Sequence, residues 1–274
     1  MCEFCTEHGE GRKWYLEMKN YTEELLHEEL SHTLKEAAQA NTRLEWNNRF
    51  WERFIMPAIT GIKSKVSTFS SSTPEQEKLE HFGQVIPIED VEQVIDRVDS
   101  ITRMPCGCRF LTTGKTDQRY CFGLGLDKWG MLGKYPEAKA SLEVLDKKEA
   151  RKLFRGFDKE GLVHSIWTGV TPFVVGMCNC DHDCGAYKWQ IEKGVSRSFF
   201  RAEYVARVDW ELCEGCKKCF KQCQFGAMFY SSALGKVHID PTRCYGCGVC
   251  RTACRHDAIA LLPRPQVKEA ADLW

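Results

Sequence analysis

The chain has 274 residues and sixteen cysteines, and its 38 basic and 38 acidic residues cancel. Zero net charge argues against a protein that works by gripping a polyanion, so no nucleic-acid partner is expected. No apolar run reaches the roughly 18–20 residues of a membrane span, and Met1 to Lys13 contain no signal-like apolar segment. The expected compartment is therefore the cytoplasm, where dense cysteine points to metal more than to disulfides.

Cys2-Glu-Phe-Cys5 opens the chain as a Cys-x-x-Cys pair. Three roles are open to it: half of a metal site, a redox-active dithiol, or an idle terminus. Residues 13–58 are predicted to be helical. Leu25, Leu26, Leu30 and Leu34 form one stripe, and Leu44, Trp46, Phe50, Trp51, Phe54 and Ile55 form an aromatic one. Such stripes usually pack a core, the alternatives being a cofactor seal or a docking face. Pro57 is expected to end the helix nearby. Ser64 to Pro74 reads as a linker. This divides the first part into a helical region, 1–63, and a linker, 64–84.

Residues 85–203 form a cysteine-rich α+β region. Val91, Val94, Ile95, Val98 and Ile101 recur at helical spacing and predict a helix over 89–101. Cys106-Gly-Cys108 follows it, and then Cys121. Asp146 and Glu149 have the spacing of a capping box, and Gly161 is a natural helix stop. The apolar run Leu162–Trp167, a turn, and a second strand Phe173–Met177 lead into Cys178-Asn-Cys180-Asp-His-Asp-Cys184. Helix followed by hairpin predicts a small winged-helix-like unit. Cys106, Cys108, Cys121, Cys178, Cys180 and Cys184 are six candidate metal ligands, and a third [4Fe–4S] cluster needs four. The bland alternative is buried free thiols. His182 is either a substitute ligand or a solvated side chain. Any leftover thiols could join Cys2 and Cys5 around a fourth cluster or another metal.

The last eight cysteines form an internal repeat. Cys213-x-x-Cys216-x-x-Cys219-x-x-x-Cys223 recurs 31 residues later as Cys244-x-x-Cys247-x-x-Cys250-x-x-x-Cys254. Asp209, Gly215 and Ala227 recur as Asp240, Gly246 and Ala258. Strands are predicted at 205–208, 228–230, 236–239 and 258–262. Two-residue spacing lets one loop place three thiolates around one cubane. The fourth cysteine should start a helix that leads to the other cubane. The ligand sets therefore cross: Cys213, Cys216, Cys219 and Cys254 hold one cluster, and Cys244, Cys247, Cys250 and Cys223 the other. Zinc is the minor alternative.

On these motifs, residues 204–263 resemble a bacterial-type two-[4Fe–4S] ferredoxin domain, followed by a tail, 264–274. The resemblance departs at Gln224 and Arg255, where that family usually has proline. The basic residues Lys217, Lys218, Lys221, Arg243, Arg251 and Arg255 predict raised potentials. The segments Pro105–Arg109, Gly161–His164 and Cys178–Cys180 extend the likeness. Over about 85–263 the chain resembles a loosely characterised group of multi-cluster iron–sulfur proteins of anaerobes. That implies anaerobic redox metabolism and supplies no reaction.

The chain contains no dinucleotide-binding glycine motif, phosphate loop or hydrolase elbow, and no catalytic residue stands out. A flavin stays open, because flavin sites often lack a short motif. The expected fold class is α+β: a helical N-terminal region, the winged-helix-like domain and the ferredoxin-like domain. The expected function is single-electron relay to or from a partner redox enzyme or complex. One alternative is an iron–sulfur oxidoreductase with its own active site at the middle cysteines. Another is a redox or oxygen sensor using the winged-helix-like domain.

Overall fold

In this computed structural model the described residues are 11–21, 52, 55–61, 82–126, 136, 140–170, 173–194 and 199–274. Cys2, Cys5, the 64–74 linker and nearly all of the predicted leucine and aromatic stripes lie outside them. What is described of 13–58 is not one helix. Trp14–Leu16 and Met18–Tyr21 are separate 3-10 turns, with Glu17 extended between them. Tertiary hydrogen bonds set their course. The Trp14 indole donates to Gln84 Oε1 at 2.5 Å, and the Tyr15 hydroxyl donates to Asp90 at 2.6 Å. Pro57 sits in the first turn of α1 (Met56–Thr60), where a missing N–H breaks no hydrogen bond, and most of the helix it is expected to end lies outside the described residues.

The middle region builds β1 (Gly83–Val85), α2 (Ile88–Arg97), β2 (Ile101–Met104), α3 (Gly107–Thr113), β3 (Cys121–Leu124) and β4 (Glu143–Leu145). After these come α4 (Lys147–Glu160), β5 (Val163–Val170), β6 (Phe173–Cys180) and β7 (Phe199–Phe200). Among the described residues these seven strands form one sheet, ordered β4-β2-β3-β6-β5-β1-β7. The winged-helix expectation is thereby corrected. The β5–β6 hairpin exists, but it is the middle of a wide sheet, flanked by β3 and β1. The predicted 89–101 helix is also shorter than expected. It stops at Arg97, Val98 turns extended, and Ile101 opens β2. Ile101 continues the helical stripe by spacing, yet its partner is Leu124 of β3. The capping box of α4 is present, with the Asp146 carboxylate accepting from Glu149 N–H at 2.7 Å. Gly161 closes that helix in the left-handed region at φ 86°.

The sheet has two different faces, because side chains alternate along each strand. Phe122, Leu124, Ile166, Val174 and Met177 pack with Val91, Val94, Ile95, Phe154 and Phe157 of α2 and α4. The Phe122 and Phe154 ring centroids are 4.5 Å apart. Cys121, Cys178 and Cys180 occupy alternate positions and belong to the other face, on which Val163 and Cys180 pack with Phe225 and Cys247 of the C-terminal module.

That module contains β8 (Tyr204–Val208), β9 (Met228–Ser231), β10 (Lys236–Ile239) and β11 (Ile259–Pro263). β8 pairs with β11 and β9 with β10, so each repeat is closed by a strand of the other at one end. The same symmetry joins Asp209 N–H to Ala258 O and Asp240 N–H to Ala227 O, both at 2.8 Å. No helix starts at the fourth cysteines. Short 3-10 turns, Lys218–Gln222 and Val249–Ala253, precede Cys223 and Cys254, which are themselves extended. The chain needs those extended residues to turn straight back into β9 and β11. Residues 264–274 are no loose tail. The buried Arg264 guanidinium donates to the carbonyls of Ala202, Tyr204 and Cys244 at 2.7, 2.8 and 3.2 Å. Among the described residues no helix is long and apolar enough to cross a membrane.

Candidate metal centres

Two cavities in the C-terminal module are lined by cysteine. One is bordered by Cys213, Cys216, Cys219 and Cys254. The other is bordered by Cys223, Cys244, Cys247 and Cys250. In each, three sulfurs come from one loop and the fourth from the other repeat. The repeat extends to the backbone around the sulfurs. Cys213 accepts from Gly215 N–H and Cys244 from Gly246 N–H, both at 3.4 Å. Cys223 accepts from Ala227 N–H and Cys254 from Ala258 N–H, both at 3.3 Å. Left-handed backbone recurs at the pairs 215/246, 217/248 and 226/257, even where Lys217 and Asp257 replace glycine. Gly246 has no substitute, since a Cβ there would lie 2.0 Å from Tyr204 O.

Burial pushes the Cys219 thiol up to about 11 and raises Cys247 and Cys250 well above the usual thiol range. Burial disfavours a bare thiolate in these cradles, and bound iron would stabilise it. The donors therefore suit a cluster: four sulfurs per cavity, with backbone N–H groups aimed at sulfur. Among the described residues no three His, Cys, Asp or Glu side chains converge as they do around a single ion. Ligands of a cubane are spread around a larger body, and each cavity is lined by four cysteines.

The six middle cysteines come together although they lie far apart in the chain. Cys106 is the N-cap of α3, and Cys108 lies in its first turn. Cys121 opens β3, Cys178 and Cys180 are on β6, and Cys184 caps the turn Gly185–Tyr187. Cys184 and Cys180 sulfurs are 3.1 Å apart, and Cys178 and Cys121 sulfurs 3.6 Å. Cys106 contacts Cys121, and Cys108 contacts Cys184. Gly185 permits this approach, because a Cβ there would stand 3.0 Å from Cys108 Cβ.

Arg109 is the site's fixed positive charge. It is 3% exposed, pairs with Asp181 at 2.8 Å, and lies over the Tyr120 ring at 4.4 Å. Tyr120 N–H donates to Cys106 Sγ at 2.9 Å. Sulfur contacts with Cys108 and Cys180, with Arg109 nearby, hold the Cys184 thiol well below its ordinary range. Burial pushes Cys106 up, and Cys180 is raised by its bond to Cys184 and by burial. His182 points away, exposed beside Glu192 and Tyr187. Arg109 closes the Pro105–Arg109 segment, but its pairing with Asp181 carries no sequence signal.

Gln224 joins the two regions. Its side-chain N–H donates to Gly161 O at 2.5 Å and to Cys180 O at 3.3 Å, and its own carbonyl accepts from the Tyr187 hydroxyl. Cys223 packs in the same cluster as Cys180, Cys184 and Cys247. The departure from proline at 224 thus puts an amide between the second cavity and the six-thiol site.

Residues 212–258 match the 4Fe-4S dicluster domain, and this part of the chain is such a domain. The chain is 34% identical over 59 residues to an archaeal-type glutamate synthase [NADPH] of Thermotoga maritima, covering 22% of this chain and 12% of that protein. It is 39% identical over 54 residues to the indolepyruvate oxidoreductase subunit IorA of Thermococcus kodakarensis, covering 20% and 8%. It is 43% identical over 67 residues to one component of an ion-translocating oxidoreductase complex of Methanosarcina acetivorans, covering 24% and 25%. The matches thus span a quarter or less of those relatives. Together with the domain they support an iron–sulfur electron-transfer role.

Proposed function

We propose that this protein is an electron carrier or redox subunit that relays single electrons through three [4Fe–4S] clusters. A bound [4Fe–4S] cluster supplies one-electron uptake and release with little rearrangement. Cys213, Cys216, Cys219 and Cys254 would hold the first, and Cys223, Cys244, Cys247 and Cys250 the second. Cys106, Cys108, Cys180 and Cys184 would hold the third. The carrying observation is the junction at Gln224, which ties the residue after Cys223 to the carbonyl of Cys180. It supports a continuous order from first cavity to second to third site.

The chain's own residues tune and insulate this line. Cys216 is exposed, whereas Cys244, Cys247, Cys250, Cys106, Cys180 and Cys184 are buried. The first cavity is therefore the end at which a partner oxidoreductase would exchange electrons. Backbone N–H groups stabilise charge on sulfur, and Arg109 does so at the third site. In the module Lys217 lies over Tyr230 and Arg243 over Phe229, so these cations stay near the clusters. Both effects favour the reduced state.

Anaerobic iron and sulfide quantification of the full chain tests the proposal. About twelve irons per chain are expected, four for each cubane. About eight would confine clusters to the dicluster domain and remove the third site. About sixteen would add a fourth site, with Cys2 and Cys5 as its candidate ligands. Cys180→Ser should lose about four irons and leave the dicluster signals in place.

A further inference from the structure

The six-thiol site holds two more sulfurs than one cubane uses. Four of the six lie on caps, turns or strand ends: Cys106 and Cys108 at the start of α3, Cys180 at the end of β6, and Cys184 after it. Such positions can open around a cluster. Cys121, the first residue of β3, and Cys178 are set by the sheet as direct cysteine–cysteine partners in the β3–β6 ladder. Asn179 N–H donates to Tyr120 O at 2.9 Å, which makes 120/179 a hydrogen-bonded pair. Cys121/Cys178 is therefore a non-hydrogen-bonded pair, the kind in which Cα atoms stand about 4.5 Å apart. That separation lies within the disulfide range. The two sulfurs already face each other across the ladder at 3.6 Å. Both residues are part-exposed, as is Cys108, whereas Cys106, Cys180 and Cys184 are buried.

The geometry points to a redox-active dithiol–disulfide pair, Cys121 and Cys178, beside the third cluster, acting on disulfide substrates. The inference rests on the third cluster proposed above. In the oxidised pair the S–S bond takes two electrons, delivered singly through the module from a one-electron donor, and two protons. It yields two thiols. One of them, as thiolate, attacks a substrate disulfide, forms a mixed disulfide and expels one substrate thiol. The second then attacks the mixed disulfide, remaking the Cys121–Cys178 bond and releasing the other substrate thiol. The net reaction converts one disulfide, two electrons and two protons into two thiols. The six-thiol arrangement thus turns a one-electron line into a two-electron reaction, with the cluster as the neighbour that passes electrons on.

Peptide mapping of the full cluster-loaded chain tests this. The protein is oxidised anaerobically with glutathione disulfide, alkylated under denaturing conditions, digested and analysed by mass spectrometry, with iron counted in parallel. The expected result is a Cys121–Cys178 cross-linked peptide, lost on dithionite reduction, with about twelve irons retained. Cys121→Ser and Cys178→Ser should each abolish the cross-link and keep that iron. Each should also trap glutathione on the remaining cysteine. About twelve irons without the cross-link would overturn the pair and leave the third cluster standing. Loss of about four irons in either serine variant would also overturn it, by making that residue a ligand. About eight irons in the unmutated chain would overturn the third cluster and with it a cluster-fed pair.

Discussion

The C-terminal module and the six-thiol site both gather cysteine, and they do so by opposite means. In the module three sulfurs of each cavity come from one short loop, and the repeat supplies the fourth. In the middle region no single loop supplies enough sulfur. The end of one helix cap, two neighbouring strands and a turn bring together residues between 106 and 184. The module's cradles thus draw on residues of the module alone. The six-thiol site depends on the whole sheet and on the core behind it.

That contrast can be broken by damaging one side only. The largest effect is expected from Phe154→Ala, which empties the centre of the core between α4 and the sheet. Such truncations cost about 3–5 kcal/mol. Chemical denaturation followed by iron content should show the middle region destabilised by that amount while the dicluster iron stays. Equal loss of both sets of iron would show that the module leans on the sheet after all.

A smaller effect is expected at the junction. Gln224→Ala removes a donor from the carbonyls of Gly161 and Cys180 and should cost about 1–3 kcal/mol. Its more specific effect is on communication. Reduction of the middle site by electrons entering at the module should slow, with the iron count unchanged. Stopped-flow absorbance would resolve the two phases, and unaltered phases would show that the amide is only a tether.

The smallest effect belongs to the second bridge. Arg251 of the module donates to both carboxylate oxygens of Glu89 on α2 at 2.7 and 2.8 Å. Burial works against the charge on Glu89, and the guanidinium outweighs it, so the carboxyl is held below its ordinary range. Its contribution is therefore complete above the unfolded carboxyl value, about 4.3, and is lost as pH falls through the lower folded value. Glu89→Gln should cost about 0.2–1 kcal/mol at neutral pH, as exposed pairs do, and should flatten that acid dependence. Denaturation midpoints measured from pH 7 to pH 3 would show it.

Legibility followed the range of the interaction. The α4 capping box and Gly161 stop were readable because they act within one turn of the helix. The strands of the repeat were readable to within a residue or so at each end, since the cysteine loops punctuate them. β2 and β3 were missed. Ile101 fits a helical stripe and a strand equally well, and Cys121–Leu124 is a short strand whose partners lie far away in the chain on either side. Without those strands a hairpin beside a helix looks like a winged helix. Gln224 was legible as a departure from a family pattern, but its purpose needed the neighbouring carbonyls to be seen.

Sixteen cysteines and a doubled spacing were enough to establish a dicluster domain and to expect crossed sets of four. Spacing carries that information because a tight loop can wrap a cubane only at certain intervals. Only the tertiary structure decided that the six remaining described cysteines share one place. It also decided that two of them face each other across a strand pair, and that a glutamine links their site to the module. These are matters of strand register and sheet face, where one residue of slip would send every side chain to the other side.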